Sequence, residues 1–336
     1  MKLAALPRLH LAHLPTPLED AHIFSATLNG PRILIKRDDC TGLAFGGNKT
    51  RKLEYLMADA QHKGASVVIT CGSTGSNHCR QTAAAARVAG MKCILVLNTP
   101  DDPPKVQGNL LLDRMLGSQI HYVAGESERD PAMHQIAEEC LERGEEPYII
   151  PSGGSNPLGA SAYVSSVFEL MGQLDDMGIE PSRLYTTSST SGGTHAGLAI
   201  GAAIAGATFI VHGIAIEGTE KEIRDIVHPL ANDTSAFLGS DIRLSPNDIR
   251  VDDRFVGEGY GIPTDESLDA MNALARTHAI LLDPVYTAKT MAGLMVHIRD
   301  GDIGSDETVV FLHSGGTPAL FTYGEELLKR LEERGI

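Results

Sequence analysis

Two lysines three residues apart, Lys49 and Lys52, sit in GGNKTRKLE, where a glycine turn runs into a helical pattern. An amine at the mouth of a helix lies near backbone N–H groups and the positive end of the helix dipole. It is therefore easier to keep neutral and nucleophilic, as an imine-forming lysine requires. Taken alone, the stretch reads more simply as three solvated charges, Lys49, Arg51 and Lys52, at a helix start. The run from Gly42 to Thr50 also approaches a phosphate-binding P-loop. Asn48 separates the glycine from the lysine, so nest and amine do not converge on the same phosphates.

Further chemistry-bearing stretches follow apolar runs that read as strands. GSTGSNH (72–78) offers hydroxyls, an amide and the N–H groups of a helix opening near Asn77. Read plainly, Ser76 or Asn77 is an N-cap. In SSTSGGTH (188–195), Thr190, Ser191, Gly192, Gly193 and Thr194 make a candidate cradle for a single phosphate at a helix start. The Gly-x-Gly-x-x-Gly fingerprint of dinucleotide sites is missing. A βα turn with no ligand accounts for the same residues equally well. LDPVYTAK (282–289) carries Tyr286 and Thr287, HSGGT (313–317) carries Ser314, and GEGYGIP (257–263) holds Tyr260 in a glycine-rich loop. Tyrosines so placed can move protons, or can pack with their hydroxyls satisfied. None of the 13 histidines forms a His-Glu-x-x-His or similar set, so no metal site is expected.

The elements that must position these loops alternate regularly. RILIK (32–36) alternates like a strand, and Leu53, Leu56, Met57 and Ala60 supply a helical stripe after Lys49. Strands are expected at 67–71, 92–97, 119–123 and 147–150, with helices at 77–89, 109–116 and 131–143 between them. Beyond the glycine-rich turn at 151–157, the pattern predicts helices at 158–170, 194–204, 265–277 and 288–299. Strands are predicted at 184–188, 209–216, 280–282 and 309–312. The polar region 218–254 is the least legible, and reads as a helix and a meandering connection. This βαβα order implies parallel sheets covered by helices, with ligands at strand carboxyl ends and between lobes.

Composition narrows the partners. The net charge of −15 argues against nucleic acid or an anionic membrane as the main partner. No apolar run approaches the roughly 20 residues that span a bilayer. The five scattered cysteines suggest neither a disulfide framework nor a zinc knuckle, and a cytoplasmic protein acting on a small molecule is expected.

GGNKTRKLEYL, SNHCRQTAA, SGGTHAG, GEGYGIPT, ILLDPVYTAK and FLHSGGTPALF, in this order, resemble the family of D-cysteine desulfhydrase and 1-aminocyclopropane-1-carboxylate deaminase, which uses pyridoxal phosphate and includes L-cysteate sulfo-lyase. The likeness runs from LPTPLE (14–19) to about Phe321. It implies an α/β fold of the tryptophan-synthase β-like type (fold type II), two parallel-sheet lobes with the cofactor between them. Residues 1–50 and 156–336 would form the larger lobe and 51–155 the smaller, and the protein would be a homodimer.

By the same resemblance, Lys49 would bond the cofactor aldehyde, and Lys52 with the 190–194 loop would bind its phosphate. Asn77 would contact the ring hydroxyl, Ser76 would lie beside the substrate, and Tyr260 and Tyr286 would flank the reacting carbons. Ser314 would join the cofactor site. Thr287 would face the pyridine nitrogen, where the cyclopropane deaminases carry a glutamate that keeps the nitrogen protonated. A neutral hydroxyl cannot do that, which favours β-elimination over cyclopropane opening. The implied reaction is carbon–sulfur β-lysis of a cysteine-like amino acid to pyruvate and ammonia. Sulfide from D-cysteine and sulfite from L-cysteate fit equally. Cyclopropane deamination, β-replacement of the cysteine synthase type and non-catalytic cofactor binding are the alternatives. A glutamine expected at Gly75 is missing, and the 98–109 segment is short and proline-rich. A sulfonate would want a nearby cation, for which Arg80 is the sequence candidate.

Overall fold

The computed structural model describes residues 1–101 and 103–333. The chain opens with β1 (Leu18–Asp20), α1 (His22–Thr27), β2 (Arg32–Lys36) and α2 (Lys49–His62). Next come β3 (Val67–Ser73), α3 (Asn77–Val88), β4 (Lys92–Asn98), α4 (Gly108–Met115), β5 (Gln119–Val123), α5 (Arg129–Glu142) and β6 (Pro147–Ile149). The second half holds α6 (Pro157–Met177), β7 (Arg183–Ser188), α7 (Gly193–Ala205), β8 (Ile210–Ala215), α8 (Glu220–Leu238) and β9 (Arg250–Asp252). It closes with α9 (Asp265–His278), α10 (Thr287–Arg299), β10 (Thr308–Leu312), α11 (Pro318–Thr322) and α12 (Gly324–Glu333).

Two sheets organise these elements. The larger has the order β1-β2-β10-β7-β8-β9 and the smaller β5-β4-β3-β6. All pairings are parallel except β1 with β2. Strand composition explains this: Val67–Ser73 (VVITCGS) and Thr308–Leu312 (TVVFL) are apolar on both faces and almost wholly buried, as strands sandwiched between helices must be. The larger sheet draws on both ends of the chain and the smaller on residues 67–149. The expected division after residue 50 runs through α2, which begins at Lys49 and packs on both α3 and α6.

Helix α7 (GTHAGLAIGAAIA) is apolar around its whole circumference and accordingly buried. It crosses α6 so closely that a Cβ on Gly197 would lie 2.3 Å from the Ala160 carbonyl oxygen. Gly197 and Gly201, one helical turn apart, therefore fix how near α7 sits to the core.

Two elements differ from the sequence expectation, and a third is sharper than it. Residues 280–282 join no sheet; Ile280 and Leu282 are buried against Phe24, Met291 and Leu294. Their apolar alternation is satisfied by packing, and periodicity alone cannot separate that from pairing. The region 218–254, expected to hold a helix and a meandering connection, contains a 19-residue helix, α8, started by a capping box in which the Thr219 hydroxyl and the Glu222 carboxylate each bond the other's backbone. That Thr-x-x-Glu signal was present in the sequence. Helix α5 begins at Arg129 rather than Pro131 because Pro131 fits the first helical turn. The shift carries Arg129 to the carboxyl edge of the smaller sheet.

Candidate active site

The loops that leave β3, β4, β7, β8 and β10 at their carboxyl ends converge on one cleft with a cavity of about 250 Å³. This is the position at which open parallel sheets bind ligands. Lys49, the first residue of α2, lines it. The turn before Lys49 depends on glycine: a Cβ on Gly46 (φ 64°) would lie 2.1 Å from the Asp39 carbonyl oxygen. Asn48 ties the turn to the other walls, its N–H donating to the Ser314 carbonyl (2.9 Å) and its amide to the Thr194 hydroxyl (3.0 Å).

Behind this turn lies a buried ionic network. Arg51 donates to Asp38 Oδ1 and Oδ2 (2.8 and 2.9 Å), to Glu169 Oε1 and Oε2 (2.8 and 2.9 Å) and to the Thr16 hydroxyl (2.9 Å). Lys36 adds a bond to Glu169 Oε1 (2.6 Å), and the Tyr163 hydroxyl donates to Asp38 Oδ2 (2.6 Å). Burial raises the Glu169 carboxyl, but Arg51 and Lys36 outweigh it and hold it down to about 2.

Enclosure lowers the Lys49 amine to about 8. Among the described residues no carboxylate pairs with it. Lys52, one turn on, is fully buried and donates to the Gly153 carbonyl at 3.0 Å. Burial and then the neighbouring Lys49 hold its pKa well below the ordinary lysine range. An anion bound between these two amines would favour their charged forms. Lys52 Nζ and Ser155 Oγ stand 2.8 and 2.5 Å from where a Cβ on Gly193 would fall. Only glycine there leaves this cradle open, and the first-turn N–H groups of α7 have no helical acceptor.

On the opposite wall, Ser76 caps α3 by accepting from the Cys79 N–H (3.2 Å) and also lines the cleft. The plain and the functional readings of Ser76 therefore hold together, since its hydroxyl proton remains available. Asn77 lines the cleft with Oδ1 fixed by the Asn109 amide (3.0 Å), which leaves its own NH₂ to donate. Tyr260 and Tyr286 share a hydrogen bond between their hydroxyls, with ring centroids 5.9 Å apart. Burial and then the adjacent Tyr260 raise the Tyr286 phenol well above its usual range. Lys289 donates to the Val256 and Gly259 carbonyls (2.7 and 2.9 Å), which pins the loop bearing Tyr260.

The chain matches the family model described as pyridoxal-phosphate dependent enzyme over residues 9–315. It is 39% identical over 326 residues to D-cysteine desulfhydrases of Salmonella typhi and Salmonella newport, covering 96% of this chain and 97% of each relative. This chain belongs to that pyridoxal-phosphate-dependent family. A solved structure described as an ACC deaminase homologue superposes with a TM-score of 0.89 at 35% identity, covering 97% of both chains. A solved threonine deaminase superposes at 0.62 with 21% identity over 90% of this chain and 92% of its own, a likeness of fold alone. The expected fold type II architecture is thus established, with pyridoxal phosphate as the family's cofactor.

The donor set fits that cofactor: an uncountered amine at Lys49, a buried Lys52 amine with no carboxylate partner among the described residues and a helix N-terminus that only glycine keeps open. Ser191, Gly192, Gly193, Thr194 and Ser314 line the same cleft. Three sequence-derived assignments meet competing partners. Thr190 lines the cleft, but its N–H and hydroxyl both donate to Glu217 Oε1 (3.0 and 2.8 Å). The Thr287 hydroxyl donates to Asp283 Oδ1 (2.7 Å) and accepts from the Asp283 N–H (2.8 Å), outside the cleft wall. Its single proton is spent there, so it has none to offer a ring nitrogen. Arg80 is fully buried and donates to the Ala44 and Gly46 carbonyls (2.7 and 3.0 Å), bracing the turn before Lys49 rather than facing substrate.

Sequence reasoning missed His78, Glu217 and Arg129 in the cleft wall. The Thr70 hydroxyl donates to the Ile150 carbonyl, so it accepts from His78 Nε2–H (2.8 Å) and leaves His78 Nδ1 bare. Burial, then Lys49 and Lys52, keep this histidine neutral. His78 was inside a quoted motif, and Glu217 follows a strand as the other site residues do; neither position was weighed.

The low Lys49 pKa has a direct consequence for cofactor loading. Only the neutral amine attacks an aldehyde, so the capture rate of pyridoxal phosphate by cofactor-free protein should rise with pH and level off above about 8. An ordinary lysine would still be climbing toward about 10.4. Following the growth of bound-cofactor absorbance against pH separates these profiles.

Proposed function

We propose that this enzyme is a carbon–sulfur β-lyase, converting a β-sulfur-substituted alanine to pyruvate, ammonia and a sulfur species. The observation that carries the reading is the Lys49 amine, lowered to about 8, in the wall of a cleft closed on its other side by two hydrogen-bonded tyrosines. When bound, pyridoxal phosphate supplies the sink for negative charge at the substrate's Cα. Lys49 Nζ takes the Cα proton, a role its pKa suits near neutral pH. Ser76 and the α3 N-terminus hold the substrate carboxylate. Tyr260 and Tyr286 face the departing sulfur, where their shared proton can follow it.

D-cysteine giving sulfide and L-cysteate giving sulfite are the two finer readings; the D-cysteine desulfhydrase relatives support the first. Pyruvate assays on D-cysteine, L-cysteine and L-cysteate, with sulfide and sulfite measured separately, decide between them. Failure of all three substrates to yield pyruvate refutes the lyase reading. The D-cysteine desulfhydrase relatives favour the lyase reading over cyclopropane opening. The homodimeric, cytoplasmic setting implied by the family belongs to the same proposal, and light scattering of the purified protein tests the dimer.

Tyr260→Phe should lower kcat by about 10²-fold, the usual worth of one positioned proton donor, with a smaller change in KM. A variant with unchanged kcat would remove Tyr260 from the proton path.

A further inference from the structure

Arg129 opens α5 at the carboxyl edge of the smaller sheet, and its side chain is only 12% exposed. It lines the cleft together with Lys49, Ser73 and Ser76. Nε donates to Asn98 Oδ1 at 2.8 Å, Nη2 donates to the same oxygen, and Nη1 donates to Glu126 Oε1 at 2.6 Å. A guanidinium carries five N–H groups. Three are used, which leaves one on each terminal nitrogen among the described residues. A free N–H on each terminal nitrogen is the donor pair that two oxyanion oxygens can use.

The charge is only partly compensated. Glu126 is 71% exposed, so water screens its pairing with Arg129. Asn98, the last residue of β4, is neutral and fixes the guanidinium plane through two of the three bonds.

We propose that Arg129, oriented by Asn98, is a specificity-determining residue that binds an oxyanion on the substrate's β-substituent. The preferred substrate is then a β-substituted alanine whose sulfur is oxygenated, of the sulfonate class. This inference rests on the carbon–sulfur lyase reading and deepens it. In the reaction, the Cα proton passes to Lys49 and the Cβ–S electron pair leaves with the sulfonate sulfur as sulfite. The resulting enamine tautomerises and takes up water to give pyruvate and ammonia. No external oxidant or reductant is needed. Arg129 holds two sulfonate oxygens throughout and relieves the charge gathering on the leaving group.

The test compares L-cysteate with D- and L-cysteine on the cofactor-loaded enzyme, in wild type, Arg129→Met and Arg129→Lys. The ratio of kcat/KM for L-cysteate to that for the better cysteine should fall on the order of 10- to 100-fold in Arg129→Met, as for loss of charge-assisted hydrogen bonds. Arg129→Lys should recover part of that ratio, because it keeps the charge and loses the fork. An unmoved ratio overturns the inference, as does an equal loss on both substrates, which would mark Arg129 as a carboxylate or structural residue. Wild type that makes pyruvate from cysteine but not from L-cysteate defeats this inference alone. Wild type that makes pyruvate from none defeats the lyase reading beneath it.

Discussion

Lys49→Ala should lose at least about a thousandfold in pyruvate formation, the upper part of the range for a positioned general base, and should no longer hold yellow, covalently bound cofactor. Lys52 cannot substitute. Its amine is fully buried and donates to the Gly153 carbonyl. The loss should be specific to chemistry, because Lys49 Nζ forms no hydrogen bond or ion pair among the described residues. Urea unfolding of Lys49→Ala should therefore stay within about 0.5 kcal/mol of wild type, as for substitutions away from packed or paired groups. Retained turnover in this variant would show that another group removes the proton. Retained folding with lost colour assigns the imine to Lys49.

What was legible in the sequence depended on how local each signal was. The strand and helix alternation was readable because burial on both faces gives unbroken apolar runs such as VVITCGS and TVVFL, ended by glycine-rich turns. Lys49, the 190–194 loop and the two tyrosines stood in short motifs whose order carried the family resemblance. Partner choice was not legible. Nothing in TAK or SST indicates that Thr287 spends its proton on Asp283, or that Thr190 turns both donors to Glu217. Those pairings are set by strand register and by loops that meet only after folding. Arg80 and Arg129 illustrate the same limit from two sides. The arginine inside a motif braces backbone carbonyls, while the one outside any motif reaches the cleft because α5 begins two residues early. Residue type indicated the chemistry available, and topology decided which copy of it lines the cleft.

Arg51→Met should destabilise the protein by about 3–5 kcal/mol, the cost of leaving a buried charge without its partner. Arg51 is 3% exposed and holds two carboxylates at once, of which Asp38 is wholly buried. Removing the guanidinium leaves Asp38 with hydrogen bonds from Thr16 and Tyr163 but no cation bonded to it. Lys36 retains Glu169, so the deficit falls on Asp38. The double variant Arg51→Met with Asp38→Leu should recover most of the loss, because apolar replacement of both members of a buried pair is often neutral. Denaturant midpoints for the wild type, the single and the double variants close the cycle. The network also predicts an acid limit. Glu169 is held down to about 2 against an unfolded carboxyl near 4.3, so its stabilisation is complete above that unfolded value and is lost as pH falls toward 2. Arg51→Met should flatten that part of the acid transition. A single variant within about 1 kcal/mol of wild type would mean the ion network contributes position but little stability, as buried pairs sometimes do. Even then the Lys49 turn should loosen, because Tyr163, held by Asp38, also reaches the Asn48 carbonyl at 3.4 Å.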